Sequence, residues 1–431
     1  MENQPLLDRL RRLSSGSRAG WAIVGILAAY ILLVTRTWRV PIGPGVEYRP
    51  AWIALVAAIL LLASLAARRL RPAAPWLRPV EAAAILALTA MVLTDLTMAY
   101  QPLRDLGIYL KAGQHFMAGT PVYLQAAITE RPADLSNYPF LYPPPTLPVF
   151  AALSSLPAPV AQTLWVGLSL GLGLLALRII GLPLRWLAFV ALWPPLFQGL
   201  WVGNVAVPAL ALFALAPWLG AGLVVGAVFK SYTGILALWL VRERSWLQLA
   251  SGVAAIAVLA LLTLPLVGVG AWQAWIEALR LYQASQQNLP VLYGFGLPAF
   301  VPIWAFLALA VAAVLAALRA GGREGLARLG TATIVASPSL FGHGLLVAVP
   351  SMLTLRALWL WLAIGITSAP DGLQVWWAIG LIGASWFAPG LRRPASVDTR
   401  AGEPGPADGD TNEPLHPLAV GLGPWPEADL R

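Results

Sequence analysis

Residues 104–123 of the chain read RDLGIYLKAGQHFMAGTPVY, and residues 138–148 read YPFLYPPPTLP. Both stretches overlap a polar, aromatic and proline-rich island, residues 104–145, in an otherwise apolar sequence. The island combines an Asp, a Lys and a His with several Tyr and Phe side chains. We expect a chain of this kind to perform its chemistry in this island, and Asp105 is the first acid in it.

The composition predicts an all-α polytopic membrane protein. The 431 residues are 59% hydrophobic and only 11% charged, whereas soluble domains carry roughly 25% charged residues. Apolar runs long enough to cross a bilayer recur along most of the chain, about eleven to thirteen in number. The candidate spans are 20–35, 51–67, 80–100, 142–156, 160–178, 186–201, 205–218, 220–240, 247–268, 298–318, 330–349, 351–368 and 372–390.

The chain is interpreted as one transmembrane domain, residues 1–391, in which residues 101–141 form an external catalytic loop. Residues 392–431 are acidic and rich in Pro and Gly, which predicts a disordered tail. The basic residues before the first apolar run predict a signal anchor. The chain has no Cys, so disulfides and Cys-ligated metals are excluded.

The net charge of +9 does not predict a nucleic-acid partner, because most of the 26 Arg lie at the ends of apolar runs. There they indicate topology by the positive-inside rule. The rule puts the island outside, together with a second loop near residues 269–297. It puts a group of later arginines in the cytoplasm: Arg242, Arg244, Arg319, Arg323 and Arg328.

Residues 106–118 are predicted to form an amphipathic helix that lies on the membrane interface. The predicted apolar face comprises Leu106, Tyr109, Leu110, Gly113, Phe116 and Met117. Asp105 occupies the expected N-cap position, and Gly119 with Pro121 ends the helix. Asp105 is therefore either a helix cap or a carboxylate at the lipid–water boundary that acts as a base. Asp95, in the third span, is the competing acid.

Two further polar residues lie in apolar surroundings. Lys230 falls within GLVVGAVFKSYTGILALWL, residues 222–240, and either binds an anion or extends to an interface. His343 falls within SPSLFGHG, residues 337–344, and is either a ligand contact or a satisfied polar residue. In the second external loop, Arg280 and Asn288 belong to a polar cluster that binds substrate or coats the loop.

An ordered set of short motifs resembles a known family. The motifs are Asp105 to Ala112, Gly119 to Tyr123, Tyr142 to Pro144, Leu156–Pro157, Gly203–Asn204, Gly222 to Lys230 and Ser337 to His343. The set, over roughly residues 90–350, is similar to glycosyltransferase family 87. These enzymes are polyprenol-phosphate-mannose-dependent mannosyltransferases of the GT-C superfamily. The chain departs from the family pattern in having Asn204 where Gln is usual and a single His343 where a pair is common.

The resemblance implies a GT-C fold and a membrane glycosyltransferase that uses a sugar, expected to be mannose, on a polyprenyl phosphate. Asp105 would be the general base, and Lys230, His343 and Asn204 would contact the donor phosphate or sugar. Tyr109, Tyr142, Arg280 and Asn288 are candidate acceptor or loop contacts. We expect a monomer in a bacterial plasma membrane, with its site facing outside, a lipid or glycan acceptor, and no metal, other cofactor or nucleic acid.

Two other classes of protein remain open from the residues alone. A multi-pass transporter or flippase of lipid-linked sugars should show internal repeats and paired broken helices, and neither is evident in the sequence. A polymerase or ligase of surface polysaccharide should carry Arg-rich external loops, whereas Arg is sparse in the loops predicted to be external.

Overall fold

The computed structural model describes residues 40–43, 46–48, 101–123, 138–182, 190, 193–367 and 374–392. These residues are mainly helical, as predicted, and they include one antiparallel hairpin of β1 (Val40–Gly43) and β2 (Val46–Tyr48). The first three candidate spans, Asp95 and the tail beyond residue 392 lie outside the described residues.

The α-helices follow one another along the chain with few long connections. In the first half they are α1 (Arg104–Met117), α2 (Leu147–Ser154), α3 (Ala158–Ile180), α4 (Pro194–Val202), α5 (Ala206–Leu215) and α6 (Ala221–Phe229). In the second half they are α7 (Leu238–Arg242), α8 (Trp246–Asn288), α9 (Ile303–Ala317), α10 (Gly322–Ala336), α11 (Val349–Met352), α12 (Ala357–Thr367) and α13 (Gln374–Ser385). Short 3₁₀ helices occupy Pro144–Thr146, Ser231–Ala237, Pro290–Tyr293, Leu297–Ala299, Gly342–Ala348 and Pro389–Leu391.

Among the described residues, α3 and α8 are the two helices long and apolar enough to cross a membrane. The other helices that coincide with candidate spans have fifteen residues or fewer. The count of eleven to thirteen spans therefore stays a prediction.

Three breaks interrupt the helices of the structure, and two of them fall inside predicted spans. A break at 203–205 separates α4 from α5, one at Lys230 ends α6, and one at 337–341 separates α10 from the following 3₁₀ helix. The prediction of continuous spans at 220–240 and 330–349 is wrong at the last two breaks. At Lys230 the backbone becomes extended, with φ −142° and ψ 94°. Irregular backbone in apolar surroundings is tolerated where protein groups cover it.

The predicted external loop at 269–297 is also corrected, because α8 continues through it to Asn288. Helix α8 consists of two helical halves joined at Gly268, whose φ of 73° and ψ of 161° are not helical. Pro265 stands just before this joint and cannot donate the usual helical hydrogen bond. The apolar pattern of the sequence identified the first half of α8 and missed the second, which is more polar.

Helix α1 coincides with the predicted amphipathic helix, but it begins differently. Leu103, with φ 53°, is the N-cap residue, so Asp105 lies in the first turn and does not cap the helix. Its buried residues are Asp105, Leu106, Tyr109, Ala112 and Gly113, whereas Met117, predicted on the apolar face, is 52% exposed. This face packs on α2, where a Cβ atom at Gly113 would collide with the backbone of Phe150.

Two hydrophobic clusters form the interior. The larger one joins α3, α4 and α5 to α10 and the helices that follow it. The smaller one is aromatic and lies between α1 and α2, built around Tyr109, Phe140 and Phe150. Asp105 lies beside Leu106 at the start of α1, at the edge of this aromatic cluster.

Candidate functional site

Asp105 lies in a buried position, where both of its carboxylate oxygens accept hydrogen bonds. The residue is 7% exposed. Arg104 Nε donates to Oδ1 over 2.8 Å, and Asn204 Nδ2 donates to Oδ2 over 2.5 Å. A buried carboxylate is stable only when such partners satisfy it. The two bonds fix the orientation of the carboxylate.

Asn204 holds its amide in one orientation because each end has a partner. Its Oδ1 accepts a hydrogen bond of 2.9 Å from the backbone N–H of Ala206, the first residue of α5. This bond satisfies one of the N–H groups that a helix N-terminus leaves unpaired. The Nδ2 group is thereby directed at Asp105, and the break between α4 and α5 becomes the support of the carboxylate.

The backbone around this break is docked onto the start of α1. The N–H of Leu103 donates to the carbonyl of Trp201 over 2.7 Å, and Trp165 Nε1 donates to the carbonyl of Gly203 over 2.8 Å. Gly203 has φ 71°, and a Cβ atom there would lie 2.8 Å from Cβ of Leu106. Both the left-handed conformation and the close approach require glycine at this position.

The environment keeps Asp105 ionised. Burial alone would raise the pKa of this carboxyl, but the charge of Arg104 and the hydrogen bonds from Asn204 and Arg104 outweigh burial. The pKa is accordingly lowered from its ordinary value of 3.8. Asp105 therefore carries a negative charge throughout the neutral range and can accept a proton there.

The breaks at Lys230 and at 337–341 bring two more polar side chains to this region. Lys230, half-buried, and His343, 5% exposed, line one small and mostly apolar cavity with residues of α5 and α6. Both side chains lie within electrostatic range of the Asp105 carboxylate and of each other. Three of the helix interruptions thus converge on one place.

His343 contacts two residues of α4. Its backbone N–H donates to Gln198 Oε1 over 3.1 Å, and its ring stacks on Phe341 at an interplanar angle of 14°. Gly199 faces it closely, since a Cβ atom there would lie 3.1 Å from Cβ of His343. The Nδ1 atom of His343 has no hydrogen-bond partner within the described part of the chain.

The two predicted tyrosine contacts belong mainly to the aromatic cluster. The hydroxyls of Tyr109 and Tyr142 lie 2.9 Å apart. Tyr109 is 2% exposed, and burial raises its pKa. Tyr142 is half-buried, and its carbonyl accepts a hydrogen bond from the hydroxyl of Tyr123 over 2.9 Å. Of the pair, Tyr142 has the greater access to a bound molecule.

Arg280 and Asn288 are not brought to Asp105. Arg280 lies on the exposed side of α8, with its NH1 atom 3.6 Å from the carboxylate of Glu277, and Asn288 ends α8 at the surface. Tyr282, from the same polar stretch, is within electrostatic range of both Arg104 and Asp105. The second half of α8 therefore approaches the site through Tyr282.

Two site residues were not identified from the sequence. Arg104 is the first residue of the island, and its position directly before Asp105 was an available signal for an ion pair. Gln198 is a lone amide in the apolar run PPLFQGLWV, residues 194–202, and that isolation was an available signal. Within the described residues, no group of three or more His, Cys, Asp or Glu side chains could hold a metal ion.

A comparison with models of protein families gives a match. The family model described as Glycosyltransferase family 87 matches residues 140–347, which confirms the predicted resemblance over that region. The matched region includes Asn204, Lys230 and His343 and begins after Asp105. No curated protein and no solved structure matched the chain.

Proposed function

We propose that this chain, whose residues 140–347 form a glycosyltransferase family 87 domain, is a multi-pass membrane enzyme. It transfers a sugar, mannose by analogy with the family, from a polyprenyl phosphate to a hydroxyl of a lipid or glycan. The reaction takes place at the outer face of a bacterial plasma membrane, and Asp105 is the general base.

The observation that carries the proposal is the hydrogen bond between Asp105 and Asn204. The family match supports a glycosyltransferase but does not extend to Asp105. The hydrogen bond joins this acid to a residue inside the matched region, 99 positions along the chain. The buried carboxylate stays ionised and lies within electrostatic range of a lysine and a histidine. Together these groups supply the base, the cation and the hydrogen-bond donor that sugar transfer from a lipid phosphate uses.

The chemistry follows from these groups. The carboxylate of Asp105 takes the proton of the acceptor hydroxyl, whose oxygen forms a bond to the anomeric carbon. The bond from that carbon to the phosphate oxygen breaks, and its electron pair remains on the lipid phosphate. A single displacement of this kind inverts the anomeric configuration. The positive charge of Lys230 and a hydrogen bond from His343 stabilise the charge that develops on the phosphate.

The proposal is tested by transfer from labelled polyprenyl-phosphate sugars, mannose first, with the purified full chain in lipid nanodiscs. Asp105→Asn should reduce kcat/KM by about 10² to 10⁴-fold, the usual contribution of a general base. Glu277→Gln, which removes an exposed carboxylate on α8, should leave transfer unchanged. Full activity in Asp105→Asn would reject the base assignment.

A transporter of lipid-linked sugars is the second candidate, because the broken helices resemble those that form binding sites in transporters. Proteoliposomes loaded with the same labelled lipids separate the two functions. Movement of the lipid between leaflets without any transfer to an acceptor would favour the transporter. Transfer that depends on Asp105 would favour the enzyme.

A further inference from the structure

A second polar region lies where three loops meet at the ends of α5, α7 and α9. The backbone N–H of Gly220 donates to Gln248 Oε1 over 2.8 Å, and Arg242 Nε donates to the carbonyl of Leu318 over 3.0 Å. The backbone N–H of Gly322 donates to Glu243 Oε1 over 2.8 Å. These bonds join residues 216–220, 242–248 and 318–323 into one surface, which we term the Arg–Trp face.

The Arg–Trp face has an excess of positive charge. It contains four arginines, Arg242, Arg244, Arg319 and Arg323, and one carboxylate, Glu243. Glu324, which follows Arg323 directly, is bound to Arg328 and Arg392. Helices α6, α8 and α10 begin at this face and α5, α7 and α9 end there, so the helix termini roughly balance and the excess positive charge comes from the arginines.

The same face exposes large apolar side chains. Trp218 is 56% exposed and Trp246 is 57% exposed, and their neighbours Leu219 and Leu247 are 54% and 84% exposed. The guanidinium of Arg323 lies 5.0 Å from the centre of the Trp218 ring. Exposed indoles beside arginines are typical of protein segments at the level of lipid headgroups.

The Arg–Trp face is separate from the Asp105 site. Helix α6 begins at this face and ends at Lys230, and α10 begins there and ends before the break that leads to His343. The fifteen residues of α10 span about 22 Å at 1.5 Å per residue. The two polar regions therefore lie about one helix length apart.

We propose that the Arg–Trp face binds the phosphate headgroups of anionic phospholipids. A guanidinium donates two parallel hydrogen bonds to a phosphate, and basic pockets between membrane helices are known to select anionic headgroups. The indoles and leucines at 218–219 and 246–247 contact the glycerol and upper acyl region of the same lipid. A water-soluble polyanion would match the charge but would leave these apolar side chains uncovered.

The test uses the full chain purified in detergent, with phosphatidylglycerol and phosphatidylcholine as probes and native mass spectrometry to count retained lipids. The wild type should retain phosphatidylglycerol in preference to phosphatidylcholine. An Arg242→Gln/Arg323→Gln double variant should weaken that retention by fivefold or more, on the order of the effect of losing two phosphate contacts. The matched control is Arg178→Gln/Arg280→Gln, which removes the same charge from exposed sites on α3 and α8 and should retain phosphatidylglycerol as the wild type does.

Three outcomes would overturn the proposal. The first is equal retention of the two lipids by the wild type, and the second is an equal loss in the control variant. The third is displacement of phosphatidylglycerol by inorganic phosphate at an equal concentration, which would indicate a site for free anions. Trp218→Ala is a second variant that tests the same face if the arginine variant does not fold. It keeps every charge, and it should also weaken retention of phosphatidylglycerol.

Discussion

Helix α3 and the α4–α5 pair are built from similarly apolar sequence, yet they have different structures. Helix α3 runs unbroken for 23 residues and exposes Leu164, Leu168 and Leu175 along one side. Helices α4 and α5 have nine and ten residues and are separated by Gly203–Val205. Apolar composition thus predicts a helix in both regions, while in the α4–α5 pair Gly203 ends the helix and Asn204 is directed at Asp105.

The largest effect that tests this comparison is expected at Lys230, at the end of α6. If the broken helices direct their polar residues at a lipid phosphate, Lys230→Met removes a stabilising cation, and kcat should fall by about 10² to 10³-fold. Lys111→Met, the same change on the exposed side of α1, should leave transfer near the wild-type rate. Equal effects of the two variants in the transfer assay would remove the distinction between broken and unbroken helices.

Glycine substitutions provide the next test. Gly203→Ala puts a side chain on a residue with a left-handed backbone conformation, and its Cβ atom would collide with Leu106. The change should destabilise the protein by about 2 to 4 kcal/mol. Gly171→Ala, in the middle of α3, meets no atom within 4 Å and should be neutral or slightly stabilising. Thermal unfolding of both variants in the same detergent measures the difference, and similar melting temperatures would contradict the structural role of the break.

The smallest effect concerns the pH dependence of transfer. Because Arg104 and Asn204 lower the pKa of Asp105, activity that needs the carboxylate should be lost only as the pH falls below 3.8. Arg104→Gln removes the nearby charge, so burial weighs more and the acid limb should move upward. The pH profile of kcat/KM reports this shift. An unmoved acid limb in Arg104→Gln would show that another group controls it.

The stability of the folded protein should fall at acid pH, in the same direction as the activity. The ion pair of Asp105 contributes fully above the unfolded pKa of 3.8, and its contribution disappears as the pH falls through the lower pKa of the folded state.

The sequence predicted much of the helical structure and the resemblance to glycosyltransferase family 87 that the family model confirms over residues 140–347. Helix α1 begins two residues before the predicted start and ends one residue before the predicted end. Asn204 is hydrogen-bonded to Asp105, and Lys230 and His343 line one cavity, while the roles of all four residues stay predictions. These successes depend on local patterns and ordered motifs, both of which are present in the chain itself.

The errors arose where tertiary contacts decide the local structure. The predicted N-cap position of Asp105 is wrong, because Leu103 is the N-cap residue and the oxygens of Asp105 are bound by Arg104 and Asn204. The hydropathy of the sequence does not predict the breaks at Lys230 and at 337–341, because hydropathy reports which side chains are apolar and not the backbone conformation. The polar residues in the second half of α8 predict a loop, but this segment is helical. Trp275 Nε1 donates a hydrogen bond from it to the carbonyl of Leu141.

The bond between Asp105 and Asn204 limits how this protein can exchange parts with its relatives. Residues 101–107 and 199–206 make one structural unit although they are distant in the chain. A chimera that receives one segment without the other would place a buried carboxylate against an unmatched side chain. The acid and its amide partner are therefore expected to be inherited together, and a crossover between them should yield a functional chain only when both parents carry the same pair.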